Sequence, residues 1–266
     1  MATTALLSTV LGRVAIGALT ALASLRYGAG IYAWREANRL ETPSYEIVRT
    51  LPGGVELRRY DPYIVAETTV EGSVGWRDGA SQGFRACAGY IFGKNAPPPR
   101  SGLKGIWGER KGAGGGEKMA MTAPVRVSAT GAGSCRGETM AMTAPVRSSS
   151  RGVPDGGPTR VSFVIGSKYD LKSVPRPLDG SVSLRKVKGH YLATRRFSGP
   201  PPKDERVQKE RARIESAMGR GGIKAAKGKE GEETLVYGYH DPFITPNVLR
   251  RNEVAVLVDP SSVEFA

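Results

Sequence analysis

The sequence predicts an α+β fold built from a duplicated unit of strands, one helix and further strands. The first observation is a repeat: residues 55–72 lie on residues 182–199 without a gap at an offset of 127, with identities at Val55/Val182, Leu57/Leu184, Arg58/Arg185, Ala66/Ala193 and Gly72/Gly199. Five matches in eighteen positions exceed the roughly one expected from ordinary residue usage. The second is that each copy is followed by apolar residues at helical spacing, over 76–92 and 204–218, and then by more β-rich runs. The third is alternation: across 63–71, Ile64, Ala66 and Val70 fall on one side while Glu67 and Glu71 fall on the other, as a half-buried antiparallel strand requires.

The chain opens on a segment unlike the rest. Residues 1–35 contain no acid and only three charges, Arg13, Arg26 and Arg35, in a background of Ala, Leu, Thr, Ser and Gly. The uncharged run between Arg13 and Arg26 is twelve residues long, short of the roughly twenty that a bilayer span needs. A span must therefore enclose one arginine, as residues 6–25 or 14–33 would. Residues 1–40 are expected to serve location, as a plastid or other organelle transit peptide, a membrane anchor or an amphipathic helix on the membrane surface, the further alternatives being a signal peptide or a disordered tail, with the folded domain in 41–266.

Within that domain, strands are expected at 45–50 and 55–60, flanking Leu51-Pro52-Gly53-Gly54, a hairpin turn whose glycines admit positive φ. Asp61-Pro62 turns the chain into the strand at 63–71. In the first helix Trp76, Ala80, Phe84, Ala88 and Ile91 form the apolar stripe, but Gly83 and Gly89 weaken it by about 1 kcal/mol each, so something beyond helix propensity must hold it. In the second helix Asp204 is the expected N-cap, Val207, Ile214 and Met218 the stripe, Gly219 the stop, and the basic face is read as solvated. Between the halves, residues 94–160 contain flexible Gly/Pro-rich loops, and MAMTAPVR at 119–126 recurs letter for letter at 140–147. Later strands are expected at 161–166, 234–239 and 253–259, with His240-Asp241-Pro242 turning between the last two.

Composition narrows the function classes. A chain of 266 residues with 39% apolar content can fill a core, and its 35 glycines and 18 prolines belong in loops. Lys and Arg outnumber Asp and Glu 39 to 25, giving +14 and favouring anionic partners of any kind. Aromatics are only 7% and no recognition motif interleaves them with the basic residues, so no specific nucleic-acid partner is expected. Two cysteines, Cys87 and Cys135, exclude a disulfide scaffold, and with two histidines they give no zinc spacing and no metal-ion motif. The run Gly89-Tyr90-Ile91-Phe92-Gly93-Lys94-Asn95 imitates a phosphate-binding loop but is one residue short and ends in Asn where Ser or Thr would hold magnesium. Arg250, Arg251 and Glu253 read either as catalytic groups or as a buried ion pair bracing the last strand.

One set of residues points further. Tyr60-Asp61-Pro62-Tyr63-Ile64-Val65-Ala66-Glu67-Thr68, Gly83-Phe84-Arg85, Ala88-Gly89-Tyr90-Ile91-Phe92-Gly93-Lys94-Asn95, the doubled Met-Thr-Ala-Pro-Val, Phe197-Ser198-Gly199 and Arg250-Arg251-Asn252-Glu253-Val254, in that order, resemble the SOUL haem-binding protein family. The resemblance runs from about Tyr45 to Val258. It implies a distorted antiparallel β-barrel of two pseudo-symmetric halves, each with one helix, and non-enzymatic binding or carriage of haem or another tetrapyrrole. Such a ligand needs an apolar slot for its macrocycle and cations for its carboxylates. Phe84, Ala88 and Ile91, with Met119 and Met121, are the candidate walls, and Arg77 and Arg85 the candidate carboxylate partners. The competing role for the three helix residues is packing on the sheet, and for the methionines core filling.

Axial ligation is left unassigned. Asp61 stands where some family members carry a histidine, His240 sits in a turn where the family more often has tyrosine or asparagine, and Ile244 and Thr245 replace a lysine common in the family. Burial alone suffices for tight binding, since about forty heavy atoms can each supply about 0.3 kcal/mol. The alternatives are an enzyme acting on a tetrapyrrole and a carrier for another apolar ligand such as a carotenoid.

Overall fold

A hairpin opens the domain. Strands β1 (Tyr45–Leu51) and β2 (Val55–Tyr60) pair antiparallel, and Gly53 and Gly54 between them take φ of 80° and 72°, the left-handed region that L side chains rarely adopt. The computed structural model describes residues 2–71, 76–96, 125–129, 159–227 and 233–263. The second MAMTAPVR lies outside them, and the first reaches them only at its last residues.

The remaining strands are β3 (Tyr63–Val70), β4 (Asn95–Ala96), β5 (Val125–Ala129), β6 (Thr159–Val164), β7 (Arg176–Pro177), β8 (Val182–Val187), β9 (His190–Phe197), β10 (Thr234–Gly238) and β11 (Asn252–Val258). Nine of them form one antiparallel sheet in the order β1-β2-β9-β11-β10-β5-β6-β3-β8, while β4 pairs with β7 separately. The sequence repeat has a direct counterpart in register. Val55 stands opposite Arg195 and Tyr60 opposite His190; 127 residues on, Val182 stands opposite Thr68 and Val187 opposite Tyr63. The first strand of each copy therefore pairs with the second strand of the other. The closed barrel implied by the resemblance is not what forms: among the described residues β1 and β8 are the two ends of an open sheet. Closure would need the outer edges of β1 and β8 to pair, and among the described residues no ladder joins them.

Helices α2 (Trp76–Ile91) and α3 (Asp204–Arg220) cover the sheet, α2 over β6, β3 and β8 and α3 over β11 and β9. Helix α3 buries Val207, Ile214, Ala217 and Met218 against Val254, Val256 and Val236, each large apolar side chain contributing roughly 1.5–3 kcal/mol. Two sequence expectations for α3 need correction. The N-cap is Lys203, with Asp204 inside the first turn, where the helix dipole favours an anion without a side-chain cap. Gly219 is helical, and the helix stops at Gly221, followed by Gly222 at φ 72°.

The expected stripe of α2 is rotated. The buried face is Ala80, Gly83, Cys87, Tyr90 and Ile91, whereas Phe84 remains 39% exposed. Small residues decide this. A Cβ on Gly83 would lie 2.3 Å from Cγ2 of Val161, so the bare backbone is what lets α2 settle on β6. Gly83 is thus the source of the hold that helix propensity lacks.

Neither α2 nor α3 lies on the opposite face of the sheet, yet Leu192, Leu235, Ala255, Tyr60, Tyr237 and Tyr239 are buried there in one cluster, and Val65, Val164 and Val187 in another. The N-terminal segment forms α1 (Ala2–Arg39), which among the described residues places none in the core clusters, while Leu40 just beyond it packs against the cluster of Tyr60, Leu192 and Leu235.

Candidate functional site

Helix α2 brings together three of the residues singled out in the sequence. Phe84, Arg85 and Ala88 share its outward side at spacings of three and four. The Phe84 ring lies 5.6 Å from that of Phe163 on β6, which is itself fully buried, so an apolar surface continues from the exposed ring into the core. Arg85 is exposed and makes no ion pair among the described residues. Ala88 is half-buried against the cluster formed by Cys87, Tyr90, Val161 and Phe163. Ile91 does not belong to the outward side: at 1% exposure it fills that cluster, as the packing alternative required. Arg77 lies in the first turn of α2, and its side chain, like Met119 and Met121, is outside the described residues.

An open cleft of about 470 Å³ lies at the end of the same cluster, between residues 41–44, the start of β3 and residues 164–172. Its apolar wall includes Ile64, Ile165 and Tyr169, which pack against the cluster under α2, and Lys172 and Lys186 stand at its margin. Sequence reasoning missed this cleft. Only Ile64 carried a signal, as an inward position of an alternating strand; Tyr169 and Lys172 lie in a short loop whose shape follows from Asp170, whose carboxylate accepts the N–H groups of Lys172 and Ser173 at 2.7 Å each.

The charged residues near the chain's end are structural in geometry. Glu253 is fully buried and accepts from Arg58 at 2.9 and 3.0 Å, from Arg251 at 2.7 Å and from the Tyr239 hydroxyl at 2.6 Å. Burial opposes its ionisation, but Arg58 and then Arg251 overcome this and hold the carboxyl below its ordinary range. Arg250 takes no part; its guanidinium bonds the carbonyls of Thr245, at 2.8 Å, and Pro242, tying down the β10–β11 loop. A second buried carboxylate, Glu67 on β3, is gripped by Arg185 at 2.8 Å, Ser162 at 2.9 Å and Arg160 at 3.4 Å.

Neither histidine suits iron ligation at α2. The helix packs on β6, β3 and β8, and neither ring belongs to those strands. His240 accepts the Arg251 N–H on Nδ1 at 3.1 Å, so Nε2 carries the proton and has no lone pair for a metal. Burial, then Arg251, Arg196 and Arg250, lower its pKa to about 4 and keep it neutral. His190 stacks on Tyr60 at 5.4 Å, with Nδ1 2.8 Å from the Lys188 carbonyl. The donors on α2 fit an apolar ring system and a carboxylate, and they do not fit iron.

Solved structures of similar shape are distant in sequence. The C-terminal domain of EcmrR shares 7% identity at a TM-score of 0.44, covering 81% of this chain and 98% of that one. An uncharacterized conserved protein from Listeria innocua gives 12% identity and 0.45, covering 83% and 93%, and a hydrolase from the same organism 10% and 0.42, covering 85% and 96%. No curated protein sequence matches this chain. The family model for SOUL heme-binding protein matches residues 40–136 and 129–257, so that each copy of MAMTAPVR falls within one match. Since the two matches span most of the polypeptide, the chain belongs to the SOUL haem-binding protein family.

Proposed function

We propose that this protein binds and carries haem or another tetrapyrrole without turning it over, and that the macrocycle lies against the outward side of α2. Family membership carries the ligand class. The observation that carries the location is an aromatic ring 39% exposed over a buried one, beside an arginine with no ion pair among the described residues. Phe84 offers its face to the macrocycle, Arg85 pairs with a carboxylate, and Ala88 leaves room for a flat ligand to approach. Arg77, seven and eight residues before Phe84 and Arg85, is on the same side of the helix and is assigned the second carboxylate. Met119 and Met121 are kept as candidate apolar contacts from the sequence. We read the fold as two pseudo-symmetric halves and place the ligand on the half bearing α2.

The test is an absorption titration with haem, metal-free protoporphyrin and a chlorophyll derivative, followed by recovery of the pigment. Saturable binding with the pigment recovered intact is expected. A changed pigment would replace the carrier with an enzyme. Arg85→Glu should weaken dicarboxylate porphyrins about tenfold while leaving their dimethyl esters nearly unaffected, because only the former use the cation. The 470 Å³ cleft supports a second location, since its volume falls in the ordinary range for ligand sites. Lys186→Glu, rather than Arg85→Glu, would then discriminate the two porphyrin forms.

A further inference from the structure

The β10–β11 loop exposes three large apolar side chains, Phe243 and Val248 at 79% each and Ile244 at 48%. They stand in a loop that is otherwise well ordered by its own bonds. Asp241 accepts the N–H groups of Phe243 and Ile244 at 2.7 and 2.8 Å, and Arg250 holds the Thr245 carbonyl at 2.8 Å. A loop so fixed keeps its apolar side chains in water by construction, which asks for a partner.

Helix α1 lies beside this loop. Arg26 donates to the Phe243 carbonyl at 3.4 Å, and Gly30 is buried so closely that a Cβ would sit 2.7 Å from the Ile244 carbonyl and from the Pro246 ring. From Val14 to Leu25 the described α1 surface carries no charge and is exposed, with Val14, Ile16, Leu19, Leu22 and Leu25 all at 64% or more. The helix is long and apolar enough to cross a membrane. At about 1.5 Å per residue, the stretch from Ala2 to Arg26 spans roughly 36 Å, more than the hydrocarbon core of a bilayer. At the level of the loop the character of α1 changes: Arg26, Tyr27, Tyr32, Trp34 and Arg35 gather there, the residue types that favour the headgroup region.

We propose that α1 and the β10–β11 loop form one lipid-facing surface: α1 enters a bilayer over residues 6–25, and Phe243, Ile244 and Val248 seat in its interface beside Arg26 and Tyr27. The loop gives the anchored domain a second point of contact and hence a fixed orientation on the membrane. Anionic headgroups are the favoured counterpart, because Arg26, Arg35 and Arg250 outnumber Glu36 and Asp241 at this level. This inference is independent of the tetrapyrrole.

The test uses the full chain in liposomes containing anionic lipid, with Cys135→Ser as background; Cys87 is buried and stays unlabelled. A polarity-sensitive dye is placed at Val248→Cys, at Phe243→Cys, or at Lys209→Cys on the exposed side of α3. Lipids carrying a nitroxide near the headgroup should quench the dye at 243 and 248 at least about threefold more than at 209, with a blue shift on liposome addition. Equal quenching at all three positions would overturn the proposal. So would a blue shift without quenching, because that outcome means that a second protein copy covers the loop.

Discussion

The two halves of the molecule hold their helices by opposite means. Helix α3 is tied by charge: Glu210, fully buried, is gripped by Arg195 of β9 and by Arg206 and Arg213 of its own helix at 2.6 and 3.0 Å, and Arg211 reaches Thr234 at 2.7 Å. Helix α2 is tied by the lack of side chains, Gly83 against Val161 and a fully buried Cys87, with the Tyr90 hydroxyl on the Pro175 carbonyl at 3.1 Å. Between Ala80 and Ile91 the only charged residue is Arg85. The buried carboxylate of α3 is thus committed to fixing that helix to the sheet. Among the described residues Arg85 on the outward side of α2 makes no such bond, and it is there that we place the ligand.

The largest expected effect contrasts the two buried carboxylates. Glu253→Ala leaves Arg58, whose side chain is 2% exposed, with the partly exposed Glu56 as its counter-charge and takes the acceptor from the buried Tyr239 hydroxyl, and should cost about 3 kcal/mol in urea unfolding. Glu67→Ala leaves Arg160 and Arg185 at 28% and 42% exposure, able to return to water, and should cost about 1–2 kcal/mol. Equal costs would remove the distinction between the halves.

Within α2, Gly83→Ala should cost roughly 2–3 kcal/mol despite the better helix propensity, because Val161 cannot withdraw from a packed strand. Gly89→Ala meets only the flexible Lys94 side chain at 3.1 Å, so it should be neutral or stabilising by up to about 1 kcal/mol. If both substitutions were harmless, close approach would not be what holds this helix.

Acid should weaken the fold in two stages. His240 is lowered from 6.5 to about 4, so it is neutral in the folded state while the unfolded chain takes up a proton. Its share of stability is complete above pH 6.5 and is lost as pH falls towards 4. Glu253 and Glu67, both held below 4.5, follow at lower pH. His240→Asn keeps an acceptor for the Arg251 N–H and should flatten the first stage, a difference on the order of 1 kcal/mol after solvent screening.

The hairpin and the strand pattern were legible in the sequence because period-two alternation and paired glycines are local signals. The rotation of α2 was not. Hydropathy counts Phe84 as core and Gly83 as a weakness, whereas close packing on Val161 rewards the glycine and leaves the phenylalanine outside. Glu210 was likewise read into a solvated basic face, since nothing local announces that Arg195, on another strand, will meet it. For the site, Phe84, Arg85 and Ala88 were legible as neighbours on one helix. The cleft at 164–172 was not, because it is made by segments more than a hundred residues apart.

The central claim is that the outward side of α2 receives a tetrapyrrole without a histidine ligand. Its most direct test is one binding titration, with haem and with metal-free protoporphyrin, on the wild type, Phe84→Asp and the double variant His190→Ala/His240→Ala, with circular dichroism confirming each fold. The account predicts that Phe84→Asp loses at least about tenfold in affinity for both ligands, while the double variant keeps most of its affinity for both. Wild-type affinity in Phe84→Asp, or selective loss of haem binding in the folded double variant, would contradict it.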